Sequence, residues 1–350
     1  MKIAIIWGTS GFGKWLAKYI KDNFENVDIV VTWRNLEKWK LVSKELWVKF
    51  TDNNIKAVED ADITIFSVPI SQMEDTIKQV APYVKPWSIV ADVCSIKWFP
   101  TKAMKKYSPK NTLVIPVHPM FWPYVSSIAD QIFVLTPDEE VKSDKRYKFF
   151  KGFLQSKWAK IIETTPQEHD KMMAIVQWLT HISMFMVWEA ISRLNVDVKK
   201  TFDFVSPIYK LLIASVLRYV WHDPKLYGDI QMFNPEVLKV HEVLMDVMTD
   251  FNKAVLEKDE DKFIDIINHS KQKIGKYSDF WQKYTDKIIY FMSKQKEKLQ
   301  NSIWKEIVLE NIYTWEIVKW ALKELVDDEI VLENGKKFYI YEWILWGQKR

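Results

Sequence analysis

Glycine is what this sequence most lacks: eight stand in 350 residues, where average usage of about 7% would supply roughly 25. Cysteine is almost missing as well. Cys94 stands alone, so no internal disulfide can form, a cysteine-based zinc site is excluded, and a reducing, cytoplasmic setting is expected. Long apolar runs are missing too. The most apolar stretch, Ile182 to Ile191, is short and ends across Glu189, and the chain enters a strand at Lys2 without a basic leader. Neither a membrane span nor a signal peptide is expected. With a net charge of +4 and 27% charged residues, the chain falls short of the basic excess of a dedicated nucleic-acid binder, while an acidic small-molecule substrate suits it.

Tryptophan fills the gap. The 18 tryptophans nearly equal the glycine shortfall of about 17, and several stand where glycine chemistry belongs. Trp47 and Trp158 fall where a helix ends before a strand, and Trp87 follows Pro86 in a turn; a left-handed residue suits such places, and tryptophan adopts positive φ poorly. Glycine codons of the UGA type translated as tryptophan would produce this pattern at Trp7, Trp33, Trp47, Trp87, Trp122 and Trp158. A genuinely tryptophan-rich chain is the competing explanation.

With 48% hydrophobic residues the chain can bury two or three cores. Three of the eight glycines sit in Gly8-Thr9-Ser10-Gly11-Phe12-Gly13, between the apolar run Lys2 to Ile6 and a helical pattern from Lys14. Strand, glycine turn and helix together form the context of a dinucleotide loop, in which the helix N-terminus supplies free amides to a pyrophosphate. Ser10 stands where the second glycine is usual, and Trp7 precedes the set. Strand candidates then recur at Val27 to Val31, Ile63 to Val68, Ser88 to Val93, Thr112 to Val117, Gln131 to Leu135 and Ala159 to Glu163, with amphipathic helices between most of them. This alternation predicts a Rossmann-type α/β fold, a doubly wound parallel sheet, over residues 1–164.

After the second strand come Arg34 and Asn35. A guanidinium here suits a ribose 2′-phosphate, which favours NADP with NAD as the alternative; an ordinary solvated arginine is the rival reading. Ser67, Val68 and Pro69 bring backbone to the same carboxyl edge of the sheet, as do Ser95 and His118 from the next two strands. A serine and a histidine beside a nucleotide loop make a proton-handling pair, and a satisfied structural histidine before Pro119 is the alternative. No metal site is expected.

From Thr165-Pro166 strands vanish, and helical patterns run over His169–Arg193, Ser206–Trp221, Pro235–Glu257, Asp259–Gly275 and Tyr277–Leu299. Residues 165–298 read as an all-α dimerisation domain, and the stripe of Met172, Met173, Met184 and Met186 as core or helix-pairing surface rather than a ligand site. Residues 299–350 alternate like strands around the turn Glu333-Asn334-Gly335-Lys336. They predict a small SH3-like or Sm-like barrel, with a winged helix as the alternative, in which Val318 to Leu325 would be helical.

These residues carry a resemblance. The nucleotide loop, Asp92-Val93-Cys94-Ser95-Ile96-Lys97, His118-Pro119-Met120-Phe121, Glu168-His169-Asp170 with His181 on the following helix, and Ser206-Pro207-Ile208-Tyr209 leading to Arg218 and Asp223 through Tyr227 together resemble the prephenate dehydrogenase family of tyrosine biosynthesis over residues 1 to about 290. The family writes glycine at Trp122, and commonly at Trp7. The resemblance implies NAD(P)-dependent oxidative decarboxylation of prephenate to 4-hydroxyphenylpyruvate, with His118 as the catalytic base, Ser95 beside it, His181 and Arg218 binding substrate, and a homodimer formed through the helical domain. Arogenate dehydrogenase, another NADP-linked reductase, and a non-enzymatic nucleotide-sensing or RNA-associated protein whose barrel binds nucleic acid are the alternatives.

Overall fold

In a computed structural model of the chain, the described residues are all but 9–10, 33–45, 47, 124, 221–222, 312–315, 327–328, 341–342 and 349–350, with 346–348 described by backbone alone. Two compact units result, Met1–Asp246 and Val247–Arg350.

The first unit is built on an eight-stranded sheet. Its strands are β1 (Lys2–Ile6), β2 (Asp28–Thr32), β3 (Lys49–Thr51), β4 (Ile63–Phe66), β5 (Ile89–Asp92), β6 (Leu113–Pro119), β7 (Ile132–Leu135) and β8 (Lys160–Glu163), and they lie in the order β3-β2-β1-β4-β5-β6-β7-β8. The strand order reverses its direction at β1 beside β4, which is where such sheets bind ligands. All pairings are parallel except β6 with β7. β1, β4 and β5 are continuous β-branched or apolar runs, since helices cover both faces. One face packs Ile6, Phe66 and Val90 against α3 (Ile70–Val80) and α4 (Trp98–Tyr107); the other packs Ile5, Ile65 and Ile115 against α1 (Gly11–Asn23) and α5 (Lys145–Ser156). A short α2 (Asn54–Val58), capped by the Asn53 side chain, joins β3 to β4. The Rossmann expectation holds. β3 was not expected, because three residues carry too little alternation to register.

The helical part begins at α6 (Pro166–Met173), with Thr165 as its N-cap and Pro166 at its first position. A π-helical turn, Ala174–Leu179, joins it without a break to α7 (Thr180–Arg193). By length and composition alone this rod, Pro166–Arg193, could cross a membrane; the run Ile182 to Ile191 understates it. Two of its polar side chains, Gln177 and His181, face the cavity described below, while Glu189 and Arg193 pair with each other on the exposed side. Met173 is buried, while Met172 and Met186 are exposed, so the methionine stripe divides between core and outer surface. α8 (Pro207–Val220) and α9 (Pro224–Phe233) follow. α9 is tied to the dinucleotide part through Asp229, which accepts hydrogen bonds from the Ser71 hydroxyl (2.8 Å) and backbone amide (3.2 Å). α10 (Val237–Glu257), α11 (Glu260–Ile274) and α12 (Ser278–Gln300) are the remaining long helices.

In the second unit β9 (Glu306–Asn311), β10 (Ile317–Val326), β11 (Glu329–Leu332), β12 (Lys337–Tyr339) and β13 (Trp343–Gln348) form an antiparallel sheet ordered β12-β11-β10-β9-β13. The last strand returns to pair with the first, and β10 pairs with β9 at one end and, past a bulge at Leu322/Glu324, with β11 at the other. That bend curls a small sheet toward a barrel. The winged-helix alternative fails here. Val318 to Leu325 form a strand, with Val318 and Leu322 buried among Leu309, Ile330 and Leu332.

Candidate active site

The glycine loop is packed as a dinucleotide cradle requires. A methyl group at position 8 would come within 2.7 Å of Val31, and one at position 13 within 2.7 Å of the Trp7 carbonyl oxygen; Gly11 has φ of +52°. Only glycine allows this approach of helix to strand, and the N-terminus of α1 then opens toward whatever sits over the loop. The loop thus fits a dinucleotide. Thr9, Ser10, Arg34 and Asn35 lie outside the described residues.

A cavity of about 480 Å³ joins this loop to the helical part. It is lined by Trp7, Gly11 and Phe12, by Ser67, Val68 and Pro69 after β4, by Ser95 after β5, by His118 from β6, and by Gln177, His181, Tyr219 and Tyr227. The structure therefore brings the sequence-selected Ser67, Val68, Pro69, Ser95, His118 and His181 to one space. Arg218 is not among the lining residues. It sits on α8 beside Tyr219, with an exposed side chain.

His118 is buried and lies inside β6, whose last three residues extend beyond the pairing with β5 and pair with β7 alone. Its Nδ1 is 2.8 Å from Nε2 of His169, and Nδ1 of His169 is 2.7 Å from Oδ1 of Asp170. Asp170 also accepts the backbone amides of Lys97 and Trp98, both at 2.8 Å, capping α4. An acceptor surrounded by donors fixes the tautomers in sequence. His169 gives its Nδ1 proton to Asp170, so its Nε2 accepts, so His118 donates from Nδ1. The lone pair of His118 Nε2 is then left facing the cavity. The Gln177 amide nitrogen lies 3.3 Å from it, carried by the π-helical turn, and such turns recur at functional sites.

Beneath this chain Lys97, fully buried, donates to Asp92 and, at 2.8 Å, to the carbonyl of Val117, the residue before His118. Burial raises the Asp92 carboxyl above its ordinary value, and Lys97 opposes that. Burial, reinforced by His169 and Lys97, holds His118 well below the usual imidazole range. His169 is lowered by burial against the pull of Asp170. Burial lowers His181 to about 4; its ring packs on Tyr219 and Tyr227, and its buried Nδ1 has no hydrogen-bond partner among the described residues. Burial pushes Cys94 up to about 12, so this cavity-lining thiol stays protonated and is no nucleophile.

Three histidines held neutral set a pH dependence for the fold. Each takes up a proton near pH 6.5 when unfolded, but only at lower pH when folded, so the unfolded state binds more protons as pH falls. The thermal midpoint is expected to drop steadily from pH 6.5 toward 4, where His181 also charges. A midpoint constant over that range in a buffered melting series would contradict this account of the burial.

A glycine-looped parallel sheet, a helical partner and a desolvated imidazole between them match the architecture of the dinucleotide-dependent dehydrogenases. Residues 16–163 match the nucleotide-binding domain and residues 165–269 the dimerization domain of prephenate dehydrogenase, and the chain belongs to that family. It is 40% identical over 293 residues to a protein of Methanocaldococcus jannaschii named probable arogenate/prephenate dehydrogenase, covering 84% of this chain and 65% of that one, so just under two thirds of that relative is matched. Similarity extends to the T-protein of Haemophilus influenzae, 28% identical over 82% of this chain and 71% of that one. In fold it is similar to the A. aeolicus prephenate dehydrogenase crystallised with hydroxyphenyl propionate and NAD+, with a TM-score of 0.62, 19% identity, and coverage of 79% of this chain and 98% of that one.

Sequence reasoning selected His118, Ser95 and His181, but gave no role to His169, Asp170, Lys97 or Gln177. His169 and Asp170 stand in the sequence as part of the Glu168-His169-Asp170 motif, and the pairing of His169 with a histidine 51 positions away depends on how α6 sits against β6.

Proposed function

We propose that the chain is an NADP-dependent prephenate dehydrogenase of the cytoplasm that converts prephenate to 4-hydroxyphenylpyruvate and carbon dioxide, with arogenate as the alternative substrate and NAD as the alternative cofactor. The observation that carries this reading is the single cavity in which the glycine loop meets His118 Nε2, presented as an acceptor by His169 and Asp170. In this reading residues 1–164 bind the dinucleotide through Gly8 to Gly13, Arg34, Asn35 and Ser67 to Pro69. Residues 165–298 complete the substrate site and pair two copies, and 299–350 form the appended barrel. The exposed apolar side chains of Met172, Ile175 and Met186 on the Pro166–Arg193 rod support pairing by that surface. A bound nicotinamide would supply the hydride acceptor at the substrate ring.

The protein's own part is proton handling and orientation. His118 Nε2 takes the proton of the ring 4-hydroxyl as hydride leaves the same carbon, and Ser95, which lines the same cavity, holds that hydroxyl. Neutral His118 is the competent form, which its burial secures. As it gains charge, His169 and Asp170 stabilise the imidazolium through Nδ1. Loss of the ring carboxylate then makes the ring aromatic. His181 Nδ1, without a partner among the described residues, binds the substrate, and the exposed guanidinium of Arg218 on α8 takes a carboxylate.

The test is an assay of the purified chain with prephenate or arogenate and NADP+ or NAD+, following the reduced nicotinamide. Turnover of neither substrate with either cofactor would sink the proposal. Arg218→Ala is expected to raise KM for prephenate roughly 10- to 100-fold, the worth of a charge-assisted hydrogen bond, with kcat little changed. An unchanged KM would remove Arg218 from the site.

A further inference from the structure

Eight described residues other than glycine have positive φ, and four of them are tryptophans: Trp7 (65°), Trp87 (67°), Trp158 (62°) and Trp304 (63°). Three of the rest are Asn26, Asp130 and Asn195, types whose short polar side chains tolerate this region. Tryptophan has no such tolerance. Its concentration there is the geometric counterpart of the glycine shortfall.

Each local geometry asks for glycine. Ser88 N–H bonds the Lys85 carbonyl at 3.2 Å, closing a turn with Pro86 second and Trp87 third. Proline followed by a positive-φ residue is the type II pattern, which wants glycine at the third place. At the end of α5, the Ala159 amide reaches the Leu154 carbonyl (3.2 Å) and the Trp158 amide reaches that of Gln155 (2.9 Å). This is a Schellman motif with Trp158 at the left-handed position that glycine usually fills. Lys305 N–H closes on Ser302 at 2.8 Å, again with the positive-φ residue, Trp304, third. Packing does not compensate the strain at these three sites. Trp87, Trp158 and Trp304 are 67%, 82% and 68% exposed, whereas Trp178 and Trp343 are buried in cores and follow the ordinary logic of a large aromatic residue.

Trp7 is the functional case. It follows β1 directly, its carbonyl oxygen touches the space beside Gly13, and its side chain is part of the cavity lining next to the N-terminus of α1. A pyrophosphate laid over that helix end needs close backbone approach, and an indole crowds it.

We propose that positions 7, 87, 158 and 304 are glycine in the protein made by its own cell, the corresponding codons being UGA read there as glycine, and that glycine at 7 opens the dinucleotide site. Trp33 and Trp47 lie outside the described residues, and Trp122 has no positive φ, so this geometry does not extend to them.

Two arms of the test do not depend on the proposed dehydrogenase activity. The gene should carry UGA at all four positions, and peptide masses from the source cell should show glycine; UGG codons there overturn the proposal. In the full-length chain, Trp87→Gly, Trp158→Gly and Trp304→Gly should each raise the thermal midpoint by roughly 2–4 °C, the scale set by relief of one left-handed residue, while Trp178→Gly lowers it. A fall at all three exposed sites would show that the tryptophans belong. The third arm rests on the cofactor reading. Trp7→Gly should tighten NADP+ binding at least tenfold, measured by titration, and equal affinity would show that the loop accepts the indole.

Discussion

His118→Asn is expected to lower kcat by roughly 10²- to 10⁴-fold, the usual worth of a positioned general base, while KM for prephenate stays within a few-fold. Asparagine keeps a polar group of similar reach, so the pocket is not emptied. Its amide, however, cannot take up the hydroxyl proton. Because the loss falls on a group that acts when charge develops, kcat and kcat/KM should drop together. The pH profile gives a second check. With His118 held well below the imidazole range by burial, His169 and Lys97, the acid limb of kcat in the unsubstituted protein should fall below pH 6.5, and in His118→Asn that limb should vanish. Stopped assays on both forms across pH 5 to 9 measure it, and near-normal turnover of the variant would remove His118 from the chemistry.

The fold was legible where side-chain patterning and backbone agree. The β-branched runs gave the parallel strands, and the glycine spacing gave the turn into α1, because both signals are local. The site was legible in part. Ser95 and His118 follow from strand ends at one sheet edge, which any parallel sheet brings together. Lys97 was not, since by type a lysine belongs on the surface; what buries it is Asp92, five residues earlier, and the Val117 carbonyl across the sheet. His169 and Asp170 needed the seating of α6 on β6 and α4, which no local period records. Arg218 was legible only through the resemblance: α8 turns Tyr219 to the cavity and leaves the Arg218 side chain exposed beside it, so its part in binding carboxylate stays a proposal. In the last fifty residues a run of alternating residues could be read as helix or strand. The curled sheet decides it by burying every fourth side chain of β10, Val318 and Leu322, a spacing that helix and strand share.

Asp170→Asn is expected to cost nearly as much as loss of the base itself, without touching substrate. Asp170 now meets three donors: the amides of Lys97 and Trp98 and Nδ1 of His169. An asparagine can offer only one oxygen to them, so its NH2 must face one of the two sides. Facing His169, it makes that ring accept at Nδ1 and donate from Nε2. His118 must then accept at Nδ1 and carry its proton on Nε2, so the lone pair leaves the cavity. Facing the Trp98 amide, it preserves the tautomers but sets donor against donor at the start of α4. In either orientation the imidazolium formed at His118 loses its negative counterpart. A histidine base deprived of its orienting carboxylate loses about 10⁴-fold in serine proteases, and a fall of roughly 10²- to 10⁴-fold in kcat with KM nearly constant is expected here on the same grounds. Nitrogen-15 spectra of the His118 ring separate the two orientations, and Asp170→Glu should recover part of the rate by restoring the charge. If Asp170→Asn turned over within threefold of the unsubstituted protein, the chain from His118 through His169 would be a structural contact and His118 would act alone.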